Sequence, residues 1–296
     1  MSILHGRSHA ITPFRRLVID LMHFSKKVPT FTLERRMNLA EVVAARRACQ
    51  CRPNWTAIFI KAFGIVAARY PELRFSYMTF PWPRLYEHAH SIATMVIDRE
   101  VDGEKMVLYG HIPRPEQLSL RQISNLIHGY QERPVRQINS FVRAMRLTRV
   151  PWPLRRWVWW AALNVLGGER CRNFGTFGIT TVAGEGAGML TLTPLLTSTV
   201  YYGLLDDAGS IDMRLVLDHR VLDGVAAARA LADLEGVLRE EILRELCGLK
   251  SLAVEAESAP ATLPFPVAPP DSSPAQPLPA GIETVAAQLL VELEKA

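Results

Sequence analysis

Apolar and polar positions alternate with two different periods along this chain. Helical spacing covers residues 17–27, and "VPTFTL" then sets Val28, Phe31 and Leu33 on a strand leading away from Pro29. Residues 39–51 return to helical spacing, with Leu39, Val42, Val43 and Ala45 on the apolar side. Asn54 precedes "WTAIFIKAFGIVAARY", which reads as a buried helix with Thr56 near its start. "SIATMVIDRE" and "KMVLYGHI" read as strands joined by a turn at Asp102-Gly103. Residues 119–146 read as one long helix capped by Ser119. Three β-rich runs follow at 175–182, 191–207 and 211–220, the last two forming a hairpin around "DAGS". An amphipathic helix over 223–246 closes the patterned region.

The pattern then stops. Residues 259–279, "APATLPFPVAPPDSSPAQPLP", are too rich in proline and alanine to continue a packed core. Past them, Ile282, Val285, Ala286, Leu289 and Leu293 share one helical face. The expected organisation is a catalytic-type domain over 1–250, a linker over 251–279 and an amphipathic docking helix over 280–296. A lone helix so short is marginal in water, so it is expected to dock on this chain or a partner.

Composition narrows the class. Of 296 residues, 49% are hydrophobic and 21% charged, as in a water-exposed globular domain that needs no disulfides to hold its core. The four cysteines have no zinc spacing, and a reducing cytoplasm is the expected compartment. Neither a signal peptide nor a membrane-spanning run is expected, the longest apolar stretch being "WVWWAALNVL". A net charge of +5 favours acidic partners: a phosphate-bearing cofactor, an acidic protein or an anionic membrane surface. No Walker or Rossmann glycine pattern occurs, and nucleic acid is not an expected partner. Cys49 and Cys51 read as inert, and His88 and His90 as surface residues rather than metal ligands; no metal is expected.

The candidate chemistry sits in "LVLDHRVLDGVAAARAL" (215–231). His219 ends an apolar strand between two carboxylates, Asp218 and Asp223, just before a helix. An imidazole there can accept a proton. Asp223 stands where the free N–H groups of a helix start favour a carboxylate, and Gly224 permits close backbone approach. Both aspartates therefore also have a purely structural reading.

"DHRVLDG" resembles the "DHRxxDG" signature of dihydrolipoyl acyltransferase catalytic domains, the core subunits of 2-oxo acid dehydrogenase complexes. Chloramphenicol acetyltransferase carries a related "HxxxDG" on the same fold. "VPTFTL", "NWTAIFIKAFGIVAARYPEL", "LSLRQISNL" and "GTFGITTVAGEG" are similar to further family segments in the same order, covering roughly residues 12–246. The resemblance implies an α/β two-layer sandwich around a mixed sheet. It implies His219 as general base and Thr180, in the place of a family serine, as donor to the tetrahedral oxyanion. Asp223 would be held by Arg15 or Arg16, with Asp218 and Gly224 in support. It further implies a homotrimer, able to build higher assemblies, with His219 and Thr180 supplied by adjacent chains. Coenzyme A or a phosphopantetheine thioester would be the substrate, with no covalently bound cofactor.

Three departures accompany the resemblance. No lipoyl domain is recognised in the sequence, so a separate lipoyl or acyl-carrier protein would deliver the acyl group, or the acceptor differs. The family's "PIINxPQ" has become "PLLTSTVYYG" (194–203). Residues 138–173 are longer than the family's segment there. Over that region Arg133, Arg136, Arg143, Arg146, Arg149, Arg155, Arg156, Arg170 and Arg172 meet only Glu132 and Glu169, with Trp152, Trp157, Trp159 and Trp160 interleaved. Three readings follow: a helix packed by its tryptophans with solvated arginines, a cover over an acyl tunnel, or a peripheral membrane contact. The expected function is acyl transfer from a thioester to a thiol, hydroxyl or amine. The alternative is a non-catalytic trimeric scaffold that recruits partners through its C-terminal helix.

Overall fold

The computed structural model describes residues 6–101, 103–181 and 195–255. Helix α1 (Pro13–Ser25) starts ahead of residue 17 because Thr12 caps it, its Oγ1 accepting from the Arg15 N–H at 3.3 Å, with Pro13 in the first turn. Strand β1 (Thr30–Asn38) follows, then α2 (Ala40–Ala48) and α3 (Trp55–Arg69). The Asn54 side chain accepts from the Ala57 N–H at 2.7 Å, so α3 begins at the expected place.

Two four-residue strands come next, β2 (Phe75–Met78) and β3 (Arg84–Glu87), forming a separate antiparallel pair. Four residues are too few to show an alternation, and Pro81 and Pro83 mask the turn. The expected hairpin is β4 (Ile92–Val101) with β5 (Glu104–Pro113); Gly103 takes the left-handed backbone (φ 79°) that its turn needs. Asp102 lies outside the described residues.

The expected single long helix is broken. Helix α4 (Leu120–Glu132) has its full Ser119–Gln122 capping box, but ends before Pro134. Proline disfavours the helical region for its predecessor, and Arg133 is accordingly extended (φ −61°, ψ 144°). The chain restarts as α5 (Asn139–Arg149), α6 (Trp152–Asn164) and α7 (Gly167–Phe174). Gly175 ends α7 at φ 81°, where a Cβ would stand 2.1 Å from the Thr94 hydroxyl. Then come β6 (Phe177–Thr180), β7 (Ser198–Leu205), β8 (Ser210–Asp218), α8 (Gly224–Val237), a π-helical turn over Leu238–Ile242, and α9 (Leu243–Glu255). The β7–β8 turn is the one expected, with Gly209 at φ 77°. Helix α9 thus runs five residues beyond position 250. The tail helix and most of the linker lie outside the described residues.

The main sheet has the order β1-β8-β7-β6-β4-β5; β6 runs parallel to both neighbours and the other pairs are antiparallel. It is the mixed sheet of an α/β sandwich. One face carries Met37, Ala93, Met95, Leu108, Phe177, Ile179, Val200, Met213 and Leu215, all nearly or fully buried against α3, α4 and α8. This is the core. The opposite face is covered over β4, β5 and β6 by α1, α5, α6 and α7, which form a partial third layer with its own apolar cluster: Leu17, Phe24, Trp159, Leu163 and Leu195.

That third layer overturns the picture of uniformly solvated arginines. Arg155 is buried and ion-paired to Asp20, which is fully buried on α1, while Arg156 approaches the same carboxylate at 3.4 Å. Arg170 is also buried, donating to the carbonyls of Tyr77 and Leu163 at 2.8 Å and of Leu195 at 3.2 Å. Burial lowers its pKa to about 10, which still leaves it charged at neutral pH. Trp159 is buried, whereas Trp152 is exposed with Arg156 over its ring at 5.0 Å. The tryptophan packing was legible locally; the counter-charge at Asp20 lies on another helix.

Candidate active site

His219 follows β8. Its N–H donates to the Pro29 carbonyl at 2.9 Å, and its ring lies 4.6 Å from that of Phe31, centroid to centroid, so β1 and β8 together fix the imidazole. More than half of the side chain is exposed (55%). Nδ1 stands 3.8 Å from Asp223 Oδ1, beyond hydrogen-bond range, and Nε2 is the nitrogen away from that carboxylate.

The two aspartates differ from the expectation. Asp223 occupies the N-cap position of α8 without a side-chain capping bond, and is 90% exposed. Among the described residues no ion pair joins it to Arg15 or Arg16, both exposed on the first turn of α1. Asp218 is the buried one. It accepts from Arg220 Nε at 2.9 Å and Nη2 at 2.6 Å, and from the Arg220 N–H at 3.0 Å. Arg220 in turn lies over Tyr77, 4.4 Å from the ring centre. Asp218 also supports the charge of buried Arg170. The arginine holding the loop is therefore the neighbour of the histidine, a bidentate partner that "DHR" itself supplies. A Cβ at Gly224 would meet nothing within 4 Å, so no close approach explains that glycine within one chain.

Thr180 closes β6 and pairs with Tyr201 of β7. Ser198 of β7 pairs with Leu217 of β8, and the Asp218 N–H donates to the Thr197 carbonyl. His219 thus lies about five residues further along the sheet than Thr180, and two strands across. At ~3.3 Å per residue and ~4.8 Å per strand, the two backbones are about 19 Å apart. No rotamer closes that gap. Within a single chain the two candidate groups do not meet.

Thr180 instead borders a chamber of about 620 Å³ between the sheet and the third layer. Strand register lays out its floor: His111, Thr94, Gly178 and Thr199 form one rung, and Val96 with Tyr109 belongs to the next, the level of Thr180. Phe14, Leu17 and Leu21 of α1, Leu147 of α5, and Val158 and Trp159 of α6 roof it. A cover over an acyl tunnel is one of the three readings of the sequence; the walls of the space depend on α1 docking on α5 and α6.

His111 on the floor bonds the Thr94 hydroxyl through Nδ1 at 3.0 Å. Burial, with Arg143 nearby, lowers its pKa to about 4. His88, expected at the surface, is buried with Nε2 2.9 Å from the Ser76 hydroxyl; burial, then Arg170, lowers it to about 4. Both rings take up protons more readily in the unfolded chain, where 6.5 applies. Stability is therefore complete above about pH 6.5 and falls as pH drops towards 4, by about 1.4 kcal/mol per pH unit for each ring. Urea titrations at pH 7 and 5 measure this. His88→Gln should flatten the dependence, and an unchanged slope in that variant would exclude His88 as a source.

Burial also pushes the Cys171 thiol up to about 12, leaving it unreactive, and Cys49 is buried. Among the described residues no helix is long and apolar enough to cross a membrane.

No family model and no curated protein matches this chain. Solved structures do. Dihydrolipoamide acetyltransferase of Azotobacter vinelandii superposes with a TM-score of 0.60 at 16% identity, over 81% of this chain and 94% of that one. That enzyme has been studied for the roles of a serine, a histidine and an asparagine in its catalytic mechanism. The cubic core of a pyruvate dehydrogenase multienzyme complex gives 0.56 at 17%, over 81% and 94%. A truncated catalytic core of the 2-oxoacid dehydrogenase complex of Thermoplasma acidophilum gives 0.54 at 18%, over 79% and 99%. The chain has the dihydrolipoamide acetyltransferase fold. The likeness is one of architecture.

Proposed function

We propose that the protein is an acyltransferase. It would transfer an acyl group between a thioester, on coenzyme A or a phosphopantetheine carrier, and a thiol, hydroxyl or amine. His219 Nε2 takes the proton from the attacking nucleophile, and the Thr180 hydroxyl donates to the oxyanion of the tetrahedral intermediate. When that intermediate collapses, the proton on His219 passes to the departing thiolate, so the imidazole is regenerated.

The observation that carries this reading is the separation of the two groups. An exposed imidazole and a hydroxyl about 19 Å away in the same chain can act together only across a boundary between chains. Closed cyclic symmetry supplies that boundary repeatedly with one contact type, and a homotrimer is the smallest ring consistent with the fold's relatives, one of which forms a cubic core. Cubic symmetry contains threefold axes by definition. Asp223 is a solvated neighbour of the ring, 3.8 Å from Nδ1 and beyond hydrogen-bond range. The cytoplasm is the compartment that suits a chain whose Cys49, Cys51, Cys171 and Cys247 are thiols rather than disulfides.

Thiol release from acyl-coenzyme A over a panel of acceptors, alongside the mass of the assembly in solution, tests the proposal. Turnover by a trimer is expected. Absence of turnover with every acceptor from an intact trimer favours the scaffold reading, and a monomer overturns both.

A further inference from the structure

The chamber beneath α1, α5 and α6 is larger than a two-carbon acyl group requires. Its volume, about 620 Å³, falls in the usual range for pockets that hold a medium-sized organic ligand. Its walls are mostly apolar: Phe14, Leu17, Leu21, Leu147, Val158 and Trp159 face the sheet. On the floor, Val96 of β4 is 43% exposed and Tyr109 of the edge strand β5 is 40% exposed, and both line the chamber. Gly178, between Thr94 and Thr199, keeps that floor low.

We infer that this chamber holds the aliphatic chain of the acyl donor, making the protein selective for medium- to long-chain acyl groups. The inference rests on the acyltransferase reading and names its substrate class. Three observations carry it. The first is the location of Thr180, which borders the chamber at the level of Val96, so a carbonyl set against that hydroxyl has apolar wall within reach of its chain. The second is charge. Arg143, Arg146 and Arg172 border the chamber with Asp98 and Glu169, so cationic groups outnumber anionic ones where a phosphate-bearing head would remain. The third is construction. The roof comes from the segment over 138–173 and is clamped to α1 by the buried Asp20–Arg155 pair, which makes it a fixed cover over otherwise exposed sheet. A cover held by a buried ion pair preserves an apolar space against collapse onto the floor.

The test is calorimetric binding of acetyl-, hexanoyl- and decanoyl-coenzyme A to the full chain. Each methylene entering the chamber should tighten binding by about fourfold until the space is filled, giving at least about a hundredfold between the acetyl and decanoyl thioesters. Val96→Trp from the floor and Ala144→Phe from the roof each occupy the space; either should reduce the decanoyl-to-acetyl affinity ratio by more than about tenfold. Circular dichroism and the melting midpoint establish that each variant is folded, and two opposite walls ensure that one failure leaves the other informative. His219→Ala should retain the full chain-length dependence, since it lies outside the chamber. Chain-length dependence in that variant, with no turnover in the wild type, would remove the acyltransfer reading and keep the chamber. Equal affinity for all three thioesters, or an undiminished ratio in both filled variants, overturns the chamber whatever the turnover.

Discussion

Alanine at position 219 is expected to lower acyl transfer by about 10²- to 10⁴-fold, the range for loss of a positioned base. Valine at position 180 should cost about 10²- to 10³-fold, as for loss of one oxyanion donor. Their combination is more informative than either. If each site takes its imidazole from one chain and its hydroxyl from the next, mixed assemblies regenerate intact sites. In a random one-to-one mixture of His219→Ala and Thr180→Val chains, about one boundary in four pairs an unaltered histidine with an unaltered threonine. About a quarter of wild-type activity should return from two nearly inactive parents. The mixture must be co-expressed or refolded together so that chains exchange. Activity no greater than the parental average would mean that the two groups do not cooperate across chains. The register of β6, β7 and β8 already prevents them from cooperating within one.

The second large effect is expected far from His219. Asp20 is fully buried and faces Arg155, whose side chain is only 5% exposed. Removing one member of a buried pair strands the other, which typically costs about 3–5 kcal/mol. Asp20→Ala should therefore lower the melting midpoint by roughly 6–20 °C for a domain of this size. Replacing both buried partners by apolar residues of similar volume, Asp20→Leu with Arg155→Met, should restore much of the loss, because the one charge left beside the site, Arg156, is partly exposed. A shift below about 2 °C in the single variant would show that water reaches Arg155 and that the clamp is weaker than its burial implies.

What the sequence disclosed depended on how local the cause was. Asn54, Ser119 and the "DAGS" turn act on groups within four residues of themselves, and the helices they start and the hairpin they turn begin where read. The strand that leads to His219 was equally plain, since Ile211, Met213, Leu215 and Leu217 share one face and the half-buried Asp212 and Arg214 lie on the other. The break at Arg133-Pro134 was also written in the chain, yet flanking helical periodicity outweighed it in the reading. By contrast, Asp20 meets Arg155 across 135 positions, and no local pattern announces such a meeting. The burial of Arg170 is of the same kind: its acceptors are carbonyls from β2, α6 and the approach to β7, which come together only in the folded chain.

The candidate site divides in the same way. His219, Asp218 and Asp223 declared themselves through spacing and resemblance, but the assignment of the arginine did not transfer. Arg220 holds Asp218 while Asp223 stays in water, because a guanidinium two residues away reaches a buried carboxylate more readily than one on a distant helix. The chamber was legible only as one of three readings of the 138–173 segment, a cover over an acyl tunnel. Its walls are drawn from α1, three later helices and four strands, none unusual alone.

Helices α5, α6 and α7 all lie in the single connection between α4 and β6, and none of them contributes a strand to the sheet. That stretch can therefore be exchanged as a cassette between chains of this architecture without disturbing strand order or the histidine turn. One residue must travel with it from outside. Transplanting residues 139–174 without an acid at position 20 would import an orphaned guanidinium into the host's interior.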